Sequence, residues 1–310
     1  LPSSRFVEAG GPKRCKTPHS IDEDTGRTRR EPEQRSSRMD TTPLFHRPPV
    51  AFGADALEDP VKGLNMARML FSRGRREMAL DLYAQLVEAH LPLAVPLLAD
   101  LHDRYQEITP ATRYDLYQSR FFSFPIVPGH KVLDMGSGHM PFPLATHLCD
   151  ITLTDGTVGR AGLPFKHLDG KPVYEASLEN TPFADQEFDF VYCSHVLEHV
   201  DDPEAACREL TRIGRRGYIE TPTKGKDMFM GTPRISHHRW HLEVFRGVLI
   251  FTEYEQRELA GLGVNLLIEM ATGPQTDREK AFSALLYLHA DQCNTMFTWE
   301  GDIPIEVRRL

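Results

Sequence analysis

Residues Lys131-Val-Leu-Asp-Met-Gly-Ser-Gly138 constrain this chain more than any other stretch, because a short apolar run leads straight into two closely spaced glycines. Val132 and Leu133 give the apolar, strand-forming character of a buried strand, and Asp134 stands where that strand leaves a sheet. Gly136 and Gly138 let the backbone turn sharply and come close to a ligand, an approach that a Cβ would block. Counting on from Gly136, Asp155 follows after roughly 20 residues, the interval at which a ribose-binding carboxylate ends the next strand. Asp155, with Gly156 beside it, is therefore the expected acidic end of a second strand. The pattern points to a nucleoside-containing cofactor.

Strand and helix signals alternate from about residue 130. Strands are expected at 131–135, 151–155, 172–176, 188–194 and 216–221, with helices over 141–149 and 203–213. Asp202-Pro203 supplies the N-cap and first residue of the latter helix. Gly247-Val-Leu-Ile-Phe251 reads as another strand, followed by a helix through about 268, and residues 295–307 read as strands around a Gly301 turn. Such alternation implies an α/β fold whose mostly parallel sheet is covered on both faces, with the ligand across the carboxyl ends of the strands.

The upstream sequence differs. Residues 1–55 are rich in Arg, Glu, Ser, Thr and Pro and read as disordered, with Met39 a candidate natural start. Residues 56–120 read as a helical extension. Ala67, Leu70, Gly74, Ala79, Tyr83 and Leu86 resemble one tetratricopeptide unit, which cannot bury its own face and has no second copy at the expected period. A helical cap on the main domain is the simpler reading, a partner-binding repeat the alternative. Tyr114, Tyr117, Phe121, Phe122 and Phe124 bridge this part to a main domain at 121–310.

A formal net charge of -8 opposes a global attraction to nucleic acid or anionic lipid, so a small molecule is the expected partner. The five cysteines are scattered without a CxxC pair, which fits neither a zinc knuckle nor a disulfide framework; a cofactor-dependent enzyme without bound metal is expected. No apolar run approaches the roughly 20 residues that span a bilayer, and no secretory layout opens the chain, so a cytoplasmic protein is expected.

A nicotinamide enzyme is the first rival for the glycine turn. Pro141 stands where the dinucleotide fingerprint asks for a third small residue, and no Tyr-x-x-x-Lys set follows the fourth strand. Four segments instead resemble the class I S-adenosylmethionine-dependent methyltransferases, in the subgroup of small-molecule and ubiquinone/menaquinone enzymes. They are Val132–Gly138, Leu153-Thr-Asp155, Ser177–Phe183 with Phe188–Val191, and Ser194-His-Val-Leu-Glu-His-Val200. The resemblance covers roughly 130–222.

It implies a Rossmann-like, doubly wound sheet of seven strands, mostly parallel, ending in an antiparallel hairpin. It also implies S-adenosylmethionine as cofactor, with Gly136, Ser137 and Gly138 at its amino-acid portion and Asp134 on its ammonium. Asp155 would take both ribose hydroxyls, Ser177 and Leu178 would border the adenine, and Ser194 and His195 would lie under the methionine arm. Ser177 departs from the acid that many relatives carry, and His139-Met-Pro141 departs from the usual third glycine.

Methyl transfer from a sulfonium needs alignment more than chemistry, with a base only where the acceptor must lose a proton. The cluster Ser236-His-His-Arg-Trp-His241 follows the fifth strand, where a loop would cover the cleft. His238, His241 and His195 are the candidate catalytic residues, since imidazoles titrate near neutrality. His237 and His241 also stand at metal-ligand spacing, which is useful only on a helix. Glu198 and His199 read as beginning or bracing the next helix. The expected activity is methylation of an oxygen or nitrogen on a small-molecule or sugar-like acceptor. The alternatives are an NAD(P)-dependent oxidoreductase or a vestigial methyltransferase fold that binds a partner.

Overall fold

The apolar run at Val132 forms the middle of the sheet. In this computed structural model, which describes residues 43–157, 160, 162–230, 237–255, 258 and 266–310, strand β1 (Val132–Met135) lies parallel between β2 (His147–Asp150) and β4 (Phe190–Ser194). β3 (Val173–Glu175) continues in parallel beyond β2, and β5 (Arg216–Pro222) lies parallel beside β4. β8 (Asn294–Glu300) closes the edge antiparallel to β5, giving the order β3-β2-β1-β4-β5-β8. Every residue of β1 and β4 is buried, as strands covered on both faces must be. The strand order reverses between β1 and β4, the crevice where an open α/β sheet takes its ligand. This is the Rossmann-like α/β fold expected from the alternation.

The connection from β1 to β2 differs from expectation. Residues 141–149 do not form a helix: Pro141 and Pro143 bracket Phe142 in an irregular link, and the second strand opens at His147. Proline lacks the amide proton that a helix interior needs, so two of them keep this segment from coiling. The chain crosses by the shorter route and the strand ends at Asp150. The expected strand at 151–155 therefore does not exist, and Asp155 lies beyond the end of β2.

Among the described residues the sheet also has six strands in place of seven. Gly301, at φ +76°, turns the chain after β8 as expected, but no final hairpin joins the sheet. β9 (Ile305–Arg308) instead pairs in parallel with β7 (Val248–Glu253), itself antiparallel to β6 (Trp240–Phe245), in a separate three-stranded sheet. The apolar alternation Ile303, Ile305, Val307 explains this choice, for these side chains pack into the cluster containing Trp240, Leu242, Leu249 and Phe251. Burying that face yields more than an edge pairing in water would.

Helix α1 (Ala54–Leu57), α2 (Pro60–Ser72), α3 (Arg76–Ala89) and α4 (Ala94–Tyr105) form the amino-terminal helical part, with Gly74 at φ +74° turning the chain between α2 and α3. A short π-helical turn, Tyr114–Gln118, and α5 (Ser119–Phe121) lead to the sheet. Helix α6 (Pro203–Ile213) opens as read, Asp202 accepting the Ala205 amide at 3.0 Å. Then follow α7 (Lys224–Met230), α8 (Leu266–Thr272) and α9 (Asp277–Leu288). The helix expected to run to about 268 falls largely on 256–265, which lie, Glu258 apart, outside the described residues.

Two further differences concern the first 120 residues. Ala281, Ala284 and Leu288 of α9 share a core with Leu97, Leu101 and Tyr105 of α4, so the helical part is completed from the other end of the chain. The segment after residue 42 is also tied down. Arg47 pairs with buried Asp81 at 2.7 Å, and the amides of Val50 and Phe52 donate to Asp81 and Gln85. Residues 1–42 lie outside the described residues. Among the described residues no single helix is long and apolar enough to cross a membrane.

Candidate active site

A cavity of about 510 Å³ opens at the carboxyl ends of β1, β2 and β4, within the size range of small-molecule sites. Its floor is the turn after β1. Gly136 has φ +80°, and a Cβ there would stand 2.1 Å from Cγ2 of Val196, so only glycine fits both the conformation and the space. The Gly138 amide donates to Oδ2 of Asp150 at 2.9 Å, locking the turn to the end of β2. Oδ1 of Asp150 faces Nη1 of Arg160 at 3.2 Å. Burial raises the pKa of Asp150, and the Gly138 amide and Arg160 oppose that rise. The hydroxyls of Ser137 and Ser194, both lining the cavity, are buried without a hydrogen-bond partner.

Of the expected cofactor residues, Gly136, Ser137, Gly138, Ser177, Leu178, Ser194 and His195 line this cavity, and Asp134, Asp155 and Gly156 do not. Asp134 is buried beneath the turn, its Oδ2 accepting the Phe142 amide at 2.7 Å. Burial raises its pKa to about 7, against the pull of that amide and of Arg113. Asp155 is exposed and occupied with Thr157, whose amide and hydroxyl it accepts at 2.8 and 2.6 Å. Gly156 packs against the carbonyl of Leu163, which a Cβ would meet at 2.7 Å. Asp150 is thus the acid that the second strand brings to the cavity, where Glu179 and Asp201 also stand.

His195 sits just past β4 in the left-handed region, at φ +59°, its amide donating to the Glu220 carbonyl at 2.7 Å. A non-glycine residue held in that region signals a constrained site. Both its ring nitrogens face carboxylates: Nε2 lies 3.3 Å from Glu220 and Nδ1 lies 3.3 Å from Glu198. Glu220 is fully buried and accepts from Tyr117 at 2.6 Å, Gln118 at 3.0 Å and Tyr218. Burial would raise its pKa, but His195 and the two tyrosine hydroxyls bring it down to about 2.

Tyr117 and Gln118 belong to the π-helical turn, a geometry that recurs at functional sites. The residue before that turn, Arg113, enters the cavity from the helical part. Among the described residues its guanidinium makes no hydrogen bond, and the carboxylates Glu220 and Asp134 act on it only through space.

The histidine cluster divides. His237 lines the cavity. His238 lies behind it, Nδ1 against Oδ2 of Asp227 at 2.9 Å, and Tyr254 donates to the same oxygen at 3.0 Å. His241 is on β6, opposite Thr252 and against the Tyr254 ring, outside the cavity. His237 and His241 share no helix, so their spacing does not bring them together. Glu198 and His199 precede α6 in the turn after β4 and do not belong to the helix. Ligand atoms of Glu198, His199 and His238 all lie within 4.8 Å of one another.

Sequence reading missed Asp150, Arg113 and this last convergence. The prolines at 141 and 143 were the available signal for the first; the other two depend on long-range packing.

Residues 133–219 match the family model of the methyltransferase domain. No curated protein matches the chain. Solved structures with a likeness include an S-adenosylmethionine-dependent methyltransferase from Thermotoga maritima, 23% identical over 32% of this chain and 47% of that one, with a TM-score of 0.25. One from Mesorhizobium loti is 20% identical over 43% of this chain and 61% of its own, at 0.26. The Haloferax volcanii complex of the Trm112 methyltransferase activator with a methyltransferase gives 13% identity over 68% and 96%, at 0.36. The chain spans less than half the length of the first of these. At such scores the likeness adds nothing to the family match. That match falls on the strands and turns that build the cavity, so residues 133–219 are a methyltransferase-type domain, with S-adenosylmethionine as the cofactor this implies.

Proposed function

We propose that the chain methylates an oxygen or nitrogen atom of a small, sugar-like acceptor. The observation that carries this reading is the cavity itself: its turn-lined floor suits a nucleoside donor, and His199 and His237 line it as well, where a second molecule would lie. The residues present fit S-adenosylmethionine. The buried hydroxyls of Ser137 and Ser194 lack partners, and the turn at Gly136 packs so closely on Val196 that it admits no Cβ.

In this reading the turn Gly136–Gly138 and the Arg113 guanidinium hold the amino-acid portion, the cation facing its carboxylate. Asp150 takes the ribose in the role expected of Asp155, and Ser177 and Leu178 border the adenine. Bound S-adenosylmethionine supplies an electrophilic methyl group on a sulfonium. The chain's own contribution is to hold that group in line with the acceptor and to exclude water. His195 is a positioning residue here, since both its ring nitrogens are directed at carboxylates.

Calorimetry with S-adenosylhomocysteine and with NAD tests the donor. Binding of the first alone is expected. Binding of NAD alone would indicate an oxidoreductase, and binding of neither would indicate a vestigial fold. Labelled-methyl transfer to fractionated small molecules then tests the acceptor class.

A further inference from the structure

Glu198 is the least satisfied polar group beside the cavity. Its carboxylate is 1% exposed, yet neither oxygen has a hydrogen-bond partner. The His195 contact at 3.3 Å falls short of the alignment that a hydrogen bond needs. A buried carboxylate needs a cationic partner, and the groups nearest to this one are imidazoles, His195 at 3.3 Å and His199 at 3.9 Å.

Two imidazoles converge on it, and each is fixed from behind. Nδ1 of His199 lies 3.1 Å from the His237 carbonyl. A carbonyl only accepts, so Nδ1 carries the proton and the Nε2 lone pair points forward, 3.9 Å from Glu198 Oε1. Nδ1 of His238 lies 2.9 Å from the Asp227 carboxylate, which Tyr254 orients in turn, and this leaves its Nε2 as an acceptor too. A carboxylate or carbonyl behind each ring is the arrangement that orients metal-binding histidines.

We propose that Glu198, His199 and His238 bind a divalent first-row transition cation at the acceptor end of the cavity. Two imidazole nitrogens and one carboxylate suit zinc, manganese, cobalt or iron(II) better than magnesium or calcium. Metal–ligand distances of about 2.0–2.2 Å require ligand atoms about 3.4 Å apart in a tetrahedron. The ligand atoms now lie within 4.8 Å of one another, so a bound cation would draw them together by up to about 1.4 Å. Three protein ligands leave open positions, and His199 borders the cavity, so the cation faces whatever binds opposite the donor.

Its role rests on the methyl-transfer reading: it holds an acceptor hydroxyl and lowers its pKa. The hydroxyl proton passes to solvent, the oxygen forms a bond to the methyl carbon as the carbon–sulfur bond breaks, and the sulfonium becomes a thioether. The cation keeps its charge throughout. This singles out an oxygen acceptor, best one with two adjacent hydroxyls able to occupy two open positions.

The test is metal binding by the full chain after chelator dialysis, with manganese, cobalt and zinc titrated calorimetrically and the cobalt form followed by visible absorption. One equivalent at micromolar affinity or tighter is expected. His238→Ala and Glu198→Gln should each weaken it at least 100-fold, and Asp227→Asn about 10–100-fold. S-adenosylhomocysteine affinity, which depends on the other wall, should stay within a few-fold and reports that each variant is folded. Wild-type chain that binds S-adenosylhomocysteine but none of the three metals overturns the site, as does undiminished binding by His238→Ala and Asp227→Asn. Metal binding without S-adenosylhomocysteine binding supports the site and sinks the methyl-transfer reading.

Discussion

Asp150 and Gly138 are joined by a 2.9 Å hydrogen bond from the glycine amide to the buried carboxylate, so the acid that ends β2 holds the turn after β1 in place. Loss of this carboxylate removes both the brace and the proposed ribose contact. Asp150→Asn is expected to weaken S-adenosylhomocysteine about 10–100-fold, the worth of one or two hydrogen bonds to a charged group. Asp155→Asn, at an exposed position outside the cavity, should stay within twofold. Calorimetry on the two variants decides between the two acids.

Arg113 is the cavity's cationic guest from the helical part. Arg113→Gln should weaken S-adenosylhomocysteine roughly 10–100-fold, by loss of a charge-assisted pair with its carboxylate. Methylthioadenosine, which has no amino-acid portion, should bind the variant and the wild type alike. Equal losses for both ligands would place Arg113 elsewhere.

Gly136→Ala meets two penalties. The left-handed backbone costs about 1–2 kcal/mol for a residue with a Cβ, and the overlap with Val196 adds about 1–3 kcal/mol. Val196→Ala in the same chain should recover the second part only. A double-mutant cycle by urea denaturation reads the coupling, and additivity of the two changes would show that Val196 yields without strain.

Asp134 makes stability depend on pH. In the folded chain burial raises its pKa from 3.8 to about 7, so the folded state keeps a proton that the unfolded state has released. Stability contributed by this group therefore falls as pH rises from about 4 to 7 and levels off above, by at most about 4 kcal/mol. Glu198 and Glu220, both brought down to about 2, act in the opposite sense, their contribution being lost as pH falls below the usual carboxylate range. Comparing urea midpoints of wild type and Asp134→Asn across this range isolates the Asp134 slope. Parallel curves would contradict it.

Much of the donor half was legible in the sequence. The strand into Gly136 and Gly138, helix Pro203–Ile213 with its Asp202 cap, and strands β4, β5 and β7 fall where periodicity and capping put them. The misplacement of the second strand has a local cause: a count to Asp155 presumes a helix between the strands, and Pro141 and Pro143 forbid one. The rest lies in contacts between distant segments. Nothing near Arg113 in sequence indicates that the π-helical turn delivers it to the cavity, and nothing near His238 indicates that β6 brings it to Glu198. The final hairpin failed because Ile305 and Val307 found a better apolar neighbour in the small sheet.

The small sheet meets the donor half through a shared apolar core and a set of cross-bonds. The amides of Arg239 and Trp240 both donate to the Glu198 carbonyl, at 2.7 and 3.1 Å, and the Trp240 indole donates to the Val200 carbonyl at 2.7 Å. Everything that lines the donor floor, Arg113 included, comes from residues before 223, whereas His237 and His238 come from the segment entering β6. Side chains fill the same contact: Trp240, Leu242, Leu249 and Phe251 share one apolar core with Leu133, Leu178, Leu197 and Trp299, and Arg239 reaches Asp201 at 2.8 Å. The segment that carries His237 and His238 is therefore not independent of the donor floor. A change of acceptor made by rebuilding the small sheet would be felt through that core at the strand that carries the glycine turn.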